Sequence, residues 1–93
     1  MAKYVKINST KEAVTFKEFV VIGKVLTTNI VNNMPWNFNY KGFTVTQESD
    51  IKYLLVKGDI TIEFTPELVL VTDEQGTYPL VKDMFLNSYE EIN

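Results

Sequence analysis

The side chains that could carry acid–base chemistry in this chain are carboxylates, because its 93 residues include no histidine, cysteine or arginine. Serine–histidine and cysteine–histidine nucleophile pairs are therefore excluded, as are imidazole and thiolate ligands for zinc, iron or copper. Three carboxylate pairs lie close together in the sequence: Glu63 with Glu67, Asp73 with Glu74, and Glu90 with Glu91. Such pairs do acid–base work in glycosidases, but each of these falls on a predicted solvent face, in a turn or in the acidic tail. The sequence predicts no catalytic residue, metal or cofactor, and indicates a protein that binds rather than transforms.

The most unusual local composition is a series of alternating aromatic residues, Trp36, Phe38 and Tyr40, followed by Lys41. Alternation in an extended segment would place the three rings on one side. A row of rings can stack on nucleobases while a neighbouring lysine meets a phosphate, or it can anchor a protein interface. The rings can also fold inward and cap the core of a small domain. The sequence leaves these alternatives open, and these four residues are candidate binding residues.

Charge is distributed unevenly along the chain, whose net charge is −3. Residues 1–58 carry eight lysines and four acidic residues, a balance of +4, whereas residues 59–93 carry one lysine and eight acidic residues, a balance of −7. The asymmetry indicates either an acidic face offered to a basic partner or an ordinary solvated surface. The candidate binding residues on this acidic surface are Asp73, Glu74, Glu90 and Glu91. Lysines without arginine or a basic run do not predict sequence-specific nucleic-acid binding.

Length and hydropathy predict a single domain over residues 1–93. A domain of this size without disulfides is expected to have a stability margin of about 3–8 kcal/mol, and oligomerisation is a common remedy, so a homo-oligomer is expected. The polar opening segment is unlike a signal peptide, and no apolar run approaches the roughly 20 residues that cross a bilayer. A cytoplasmic location without membrane contact is therefore predicted.

The first half of the chain predicts one strand, one helix and a loop. Lys3–Ile7 alternates as a strand does. Two capping-box patterns follow, Ser9–Glu12 and Thr15–Glu18, and the second precedes apolar residues at helical spacing. We therefore predict a helix around residues 15–25. Asn29–Tyr40, which contains five asparagines and a proline, is predicted to be a loop.

The second half predicts a run of strands joined by short turns. The strands are expected at Phe43–Gln47, Ile51–Val56, Ile60–Phe64, Leu68–Thr72 and Thr77–Val81. The turns are expected at 48–50, 57–59 and 73–76, with one helical turn at Asp83–Phe85. Short connections make the strands antiparallel neighbours, with Leu68–Thr72 central because it is apolar on both faces. The predicted fold is α+β, a curled antiparallel β-meander of about five to six strands with one N-terminal helix.

Two stretches carry a resemblance to a known group of proteins. The residues concerned are Pro35–Gly42, Val45–Asp50, Tyr53-Leu54, Leu55–Thr72, Gly76–Pro79, Phe85 and Tyr89-Glu90. Together they resemble small tailed-phage and prophage accessory proteins, which share a Pro-Gly-Asp-Tyr-like corner, a Gly-x-x-Tyr-Pro turn and a closing Phe…Tyr-Glu. The likeness covers about residues 34–92. It departs at Pro66-Glu67-Leu68, which replaces the corner, and at residues 76–78, where the spacing is one residue shorter.

The resemblance implies a phage origin rather than a mechanism. The expectation that follows is a non-enzymatic phage accessory protein that inhibits a host factor by stoichiometric protein binding in the bacterial cytoplasm, with components of antiviral defence among the candidate targets. The first alternative is a sponge that sequesters a small nucleotide signal in an intersubunit pocket. The second is a virion-associated structural protein.

Overall fold

Eleven short strands and one helix make up the described part of the chain. A computed structural model describes residues 2–6, 9–83 and 90–92, and the side chains of residues 11–83. The helix is α1 (Phe16–Leu26). The strands are β1 (Ala2–Lys6), β2 (Ser9–Thr15), β3 (Ile30–Val31), β4 (Met34–Pro35), β5 (Asn37–Tyr40), β6 (Phe43–Ser49), β7 (Lys52–Lys57), β8 (Ile60–Phe64), β9 (Leu68–Asp73), β10 (Gly76–Val81) and β11 (Glu90–Ile92).

All strand pairings within these residues are antiparallel and form three sheets. Strands β5–β6–β7–β8 form a meander sheet in chain order, while β3 and β4 form a separate hairpin. The third sheet has the order β10–β9–β2–β1–β11 and joins the two ends of the chain. We call it the long-range sheet, because Val14 of β2 lies opposite Leu70 of β9.

The main core lies between α1 and inward-facing residues of both larger sheets. Period-two alternation along the meander sheet buries one side of each strand. The buried residues of this core are Val14, Phe16, Phe19, Phe38, Tyr40, Phe43, Val45, Tyr53, Leu55, Ile62, Phe64 and Leu70. On the other face of the long-range sheet, a second cluster contains Ala13, Val69 and Val71, with Tyr78 and Leu80 packed against it. The alternating strand residues therefore supply a main core against α1 and a smaller cluster on the opposite face of the long-range sheet.

Helix α1 is anchored by its N-terminal cap and by a single phenylalanine at the centre of the core. The Thr15 hydroxyl accepts a hydrogen bond from the Glu18 amide at 3.2 Å, and the Glu18 carboxylate accepts one from the Thr15 amide at 2.9 Å. The Phe19 ring lies 5.1–5.5 Å from four other rings, those of Phe38, Tyr40, Tyr53 and Phe64. Capping and aromatic packing thus fix which side of the helix faces inward.

The structure confirms the α+β class with one N-terminal helix, the predicted helix, and Leu68–Thr72 as a central strand. The strand predicted at Lys3–Ile7 corresponds to β1, although Ile7 lies outside the described residues. The helical turn predicted at Asp83–Phe85 also falls largely outside them. The strands are more numerous than expected, and the meander is limited to β5–β8.

Two local predictions are wrong. Ser9–Glu12 is not a helix cap but part of strand β2, because this segment pairs with β1 on one side and with β9 on the other. The segment Asn29–Tyr40 is not a loop, since it contains β3, β4 and β5. Asn32 and Asn33 adopt positive φ angles of 53° and 63°, which asparagine tolerates and a tight hairpin turn requires. The asparagines therefore make a turn between strands rather than an extended loop.

Candidate interaction surface

The aromatic series does not form a row of accessible rings. Trp36 is 42% exposed, but Phe38 and Tyr40 are each only 5% exposed and belong to the main core. Their cross-strand partners Val45 and Phe43 are buried with them. Trp36 precedes β5 and lies outside its alternation. Of the alternatives left open for these rings, the burial of Phe38 and Tyr40 matches the one in which they cap the core.

Lys41 lies at the opposite end of β5 from Trp36. They are five residues apart, which is about 16 Å at roughly 3.3 Å per residue. The Lys41 ammonium lies 3.3 Å from a carboxylate oxygen of Glu12 and 5.6 Å from the centroid of the Tyr40 ring. Glu12 therefore balances the charge of Lys41 within the protein, and Lys41 and Trp36 do not converge on one ligand.

A buried polar pair lies where β5 approaches the long-range sheet. The Tyr40 hydroxyl and the Oε1 atom of Glu12 are both inaccessible, and neither makes a hydrogen bond of standard geometry within the described residues. Burial and then the negative charge of Glu12 raise the pKa of Tyr40 to about 12, although the nearby Thr72 hydroxyl acts in the opposite direction. Tyr40 is thus a neutral core residue whose hydroxyl makes no hydrogen bond of standard geometry.

Asp73 is an internal ion-pair partner rather than a free surface acid. Its Oδ2 atom accepts a hydrogen bond from the Lys11 ammonium at 2.8 Å and another from the Tyr78 hydroxyl at 2.8 Å. Lys11 also donates to the Tyr78 hydroxyl at 2.9 Å, which closes a triangle across β2, β9 and β10. Hydrogen bonds from Lys11, Tyr78 and the backbone of Gln75 lower the pKa of Asp73 to about 2. This arrangement ties three strands together and neutralises the charge of Asp73.

The remaining predicted acidic residues lie apart from Asp73 or beside it in a turn. Glu74 is exposed in the turn between β9 and β10. Glu90 and Glu91 lie on β11, and their side chains are outside the described residues. Strands β1 and β2 separate β11 from β9, a distance of about 14 Å at roughly 4.8 Å per strand. The sheet therefore does not gather the four predicted acids into one compact cluster.

A surface groove of about 640 Å³ lies between the β3–β4 hairpin and the end of β6. Its lining consists of Val31, Asn32, Met34, Gln47, Glu48, Ser49 and Asp50. Two carboxylates and no lysine line this groove, so its electrostatic potential disfavours a phosphate. Among the described residues, no three potential metal-ligating side chains converge.

The exposed apolar surface is concentrated in one segment. Ten large hydrophobic side chains are exposed in the described part of the chain, and six of them fall between residues 21 and 36. We call these six residues the docking face: Val21, Val25, Leu26, Ile30, Val31 and Trp36. Val25 is 81% exposed and Val21 57% exposed, although both belong to a helix whose opposite side is fully packed.

One hydrogen bond links the helix to the hairpin part of the docking face, and a second closes the hairpin itself. The Lys24 ammonium donates to the side-chain oxygen of Asn33 at 3.1 Å. The Trp36 amide donates to the carbonyl of Asn29 at 3.0 Å. Of the six residues of this surface, the sequence analysis singled out only Trp36. One signal in the sequence could have revealed the rest: residues 19–26 are apolar nearly all round the helix. One face packed on the core requires fewer apolar residues than that.

Comparisons with protein-family models, curated proteins and solved structures found no match. Within the described residues, no helix combines the length and apolar character needed to span a bilayer.

Proposed function

We propose that this chain is a non-enzymatic phage accessory protein that acts by binding a host protein stoichiometrically through the docking face. The observation that supports this proposal is the concentration of exposed valine, leucine, isoleucine and tryptophan side chains on α1 and the β3–β4 hairpin. Soluble proteins rarely expose contiguous apolar patches unless these bind something. Tryptophan is also among the residues that contribute most to protein interfaces.

The helix gives a local reason to assign a function to these side chains. Phe16, Phe19 and Gly23 already fill its core side. Valine is a poorer helix former than alanine, leucine or lysine, so neither core packing nor helix propensity explains Val21 and Val25 on the outer side. Covering them with a partner removes apolar surface from water, which stabilises the complex by about 25 cal/mol for each Å² buried.

The resemblance of residues 34–92 to small phage proteins supports a host target, with a component of antiviral defence in the bacterial cytoplasm as the preferred class. The nucleotide-sponge alternative has less support. Trp36 is the one accessible ring of its series, Lys41 is paired with Glu12, and the described groove is lined by carboxylates. A virion-associated role gains no support from these features.

The experiment compares capture of bacterial proteins by three tagged forms of the chain. They are the wild type, the variant Val21→Ala/Val25→Ala, and a matched control, Ile60→Ala/Val81→Ala, which shortens exposed apolar side chains outside the docking face. Alanine maintains the helix, so the first variant is expected to fold. Eluates are analysed by native mass spectrometry for proteins and small bound molecules.

We expect wild type and control to retain one host protein in a fixed ratio, and the docking-face variant to lose at least nine tenths of it. Equal capture by both variants would contradict the assignment of the surface. An added mass of a few hundred daltons, unaffected by either variant, would instead favour the sponge.

A further inference from the structure

We infer that the partner presents an amphipathic α-helix whose apolar stripe is bordered on one side by aspartate or glutamate. This inference depends on the proposed function, because it specifies the chemistry of the partner at the same docking face. It rests on the shape of the outer side of α1 and on the charges that flank it.

The outer side of α1 has a shape suited to another helix. Val21 and Val25 are four residues apart, so they form one ridge along the helix surface. Beside them, Lys17, Glu18, Val21 and Ile22 line a shallow, mainly apolar depression of about 290 Å³. A ridge next to a shallow groove is the surface into which the ridges of a second helix pack. The 11 residues of α1 span about 16 Å at 1.5 Å per residue, enough for two to three turns of a partner helix.

The charge beside this ridge is positive on one flank. Lys17 and Lys24 are seven residues apart, about two helical turns, and both fall on the same side of the Val21–Val25 ridge. Neither forms an ion pair within the described residues, and Lys24 donates only to the neutral Asn33 side chain. The other flank carries Glu18, whose carboxylate already accepts the hydrogen bond from the Thr15 amide.

An acidic partner is therefore complementary on the lysine flank. Two ammonium groups without anionic partners attract carboxylates as the apolar surfaces approach, and they oppose basic sequences. Repulsion between lysines disfavours a second copy of this chain in an antiparallel two-fold helix pair. In that geometry each flank meets its own equivalent, so that Lys24 of one copy faces Lys17 of the other.

The test is a selection from a displayed library of helical peptides. Each peptide has 18 residues, a fixed leucine stripe, and flank positions randomised among acidic, basic and neutral polar residues. The library is selected in parallel against the wild type, against Lys17→Glu/Lys24→Glu, and against Val21→Ala/Val25→Ala. Because Lys24→Glu removes the hydrogen bond to Asn33, the single variant Lys17→Glu is included, and thermal unfolding confirms the fold of each protein.

We expect wild type to enrich peptides with acidic residues on one flank at least tenfold over those with basic residues. Lys17→Glu should reduce that preference and the double charge variant should reverse it, while the docking-face variant should enrich neither class. Enrichment of helices without an acidic bias would overturn the inference but leave the proposed function intact. Absence of host-protein capture by the wild type would overturn both. So would a stable dimer, measured by light scattering, that Val21→Ala/Val25→Ala converts to a monomer.

Discussion

A substitution at Gly23 tests how tightly α1 packs against the β3–β4 hairpin, which carries half of the docking face. A Cβ atom added at this position would lie 2.6 Å from Cγ of Pro35, and 2.7 and 2.8 Å from two ring carbons of Phe38. Ordinary contacts between carbon atoms are about 3.5–4.0 Å, so these neighbours must move by roughly 1 Å. Pro35 is fully buried, and its carbonyl accepts the Tyr53 hydroxyl at 2.6 Å, so movement here breaks other contacts.

We therefore expect Gly23→Ala to destabilise the protein although alanine favours helices. Overpacking a core costs about 1–3 kcal/mol, and the helix preference of alanine offsets about 1 kcal/mol. Since both neighbours are held in place, the cost should lie at the upper end. The expected net loss is about 1–2 kcal/mol, which lowers the melting temperature by roughly 5–15 °C.

Urea and thermal unfolding followed by circular dichroism measure this effect. The matched control is Val25→Ala, a substitution in the same helix at a position that is 81% exposed. That variant should be as stable as the wild type or slightly more stable, because alanine is the better helix former. If Gly23→Ala were equally stable or more stable than the wild type, the close approach of α1 to β4 and β5 would be refuted.

Three further predictions concern single side chains. Tyr53→Phe should lower the free energy of unfolding by about 1–2 kcal/mol, because it leaves the buried carbonyl of Pro35 unpaired. Tyr40→Phe should change the free energy of unfolding by less than about 0.5 kcal/mol or raise it, because the Tyr40 hydroxyl makes no hydrogen bond of standard geometry. Urea titrations of the two variants measure both effects. The low pKa of Asp73, about 2, means that its ion pair stabilises the fold fully above its unfolded pKa of about 4 and loses that effect as the pH falls through about 2. The difference in urea midpoint between wild type and Asp73→Asn should therefore be largest above pH 4 and shrink steadily toward pH 2, and a constant difference would contradict the assignment. Trp36→Ala should keep the fold, because the ring is 42% exposed, while reducing capture of the host protein; an unfolded variant by circular dichroism would instead make Trp36 a core residue.

Local sequence signals predicted the elements that depend on neighbouring residues. Thr15–Glu18 encodes a capping box in a few residues, and the alternation at Ile60–Phe64 matches a strand whose residues 62 and 64 are buried. Whether Ser9–Thr15 forms a helix or a strand depends instead on its pairing with β9, more than 50 residues away in the sequence. A capping pattern could not reveal that this pairing outweighs helix formation, because tertiary contacts override local propensity.

The interaction surface was less predictable than the fold. Alternation predicted that Trp36, Phe38 and Tyr40 share one side of an extended segment, and this holds for Phe38 and Tyr40 but not for Trp36. Alternation also does not say whether that side faces water or the core. The register with β6 and the packing of Phe19 decide this. Similarly, the acidity of residues 59–93 did not reveal that Lys11, from the other half of the chain, pairs with Asp73.

Apart from Trp36, the residues of the docking face were not predicted, because they look like ordinary core residues in a sequence. Apolar residues occupy most of the circumference of α1. Only the structure shows that Phe16 and Phe19 face the core while Val21 and Val25 face solvent. Exposure of 57% at Val21 and 81% at Val25 is a property of packing.

Hydrogen–deuterium exchange on the complex recovered from bacterial lysate tests the central claim most directly. The exchange of backbone amides is compared between the free chain and the host-bound chain by mass spectrometry. We predict slower exchange in peptides covering residues 16–36, where α1 and the β3–β4 hairpin carry the docking face. Slower exchange confined to residues 73–92 would contradict this account and assign binding to the acidic surface instead.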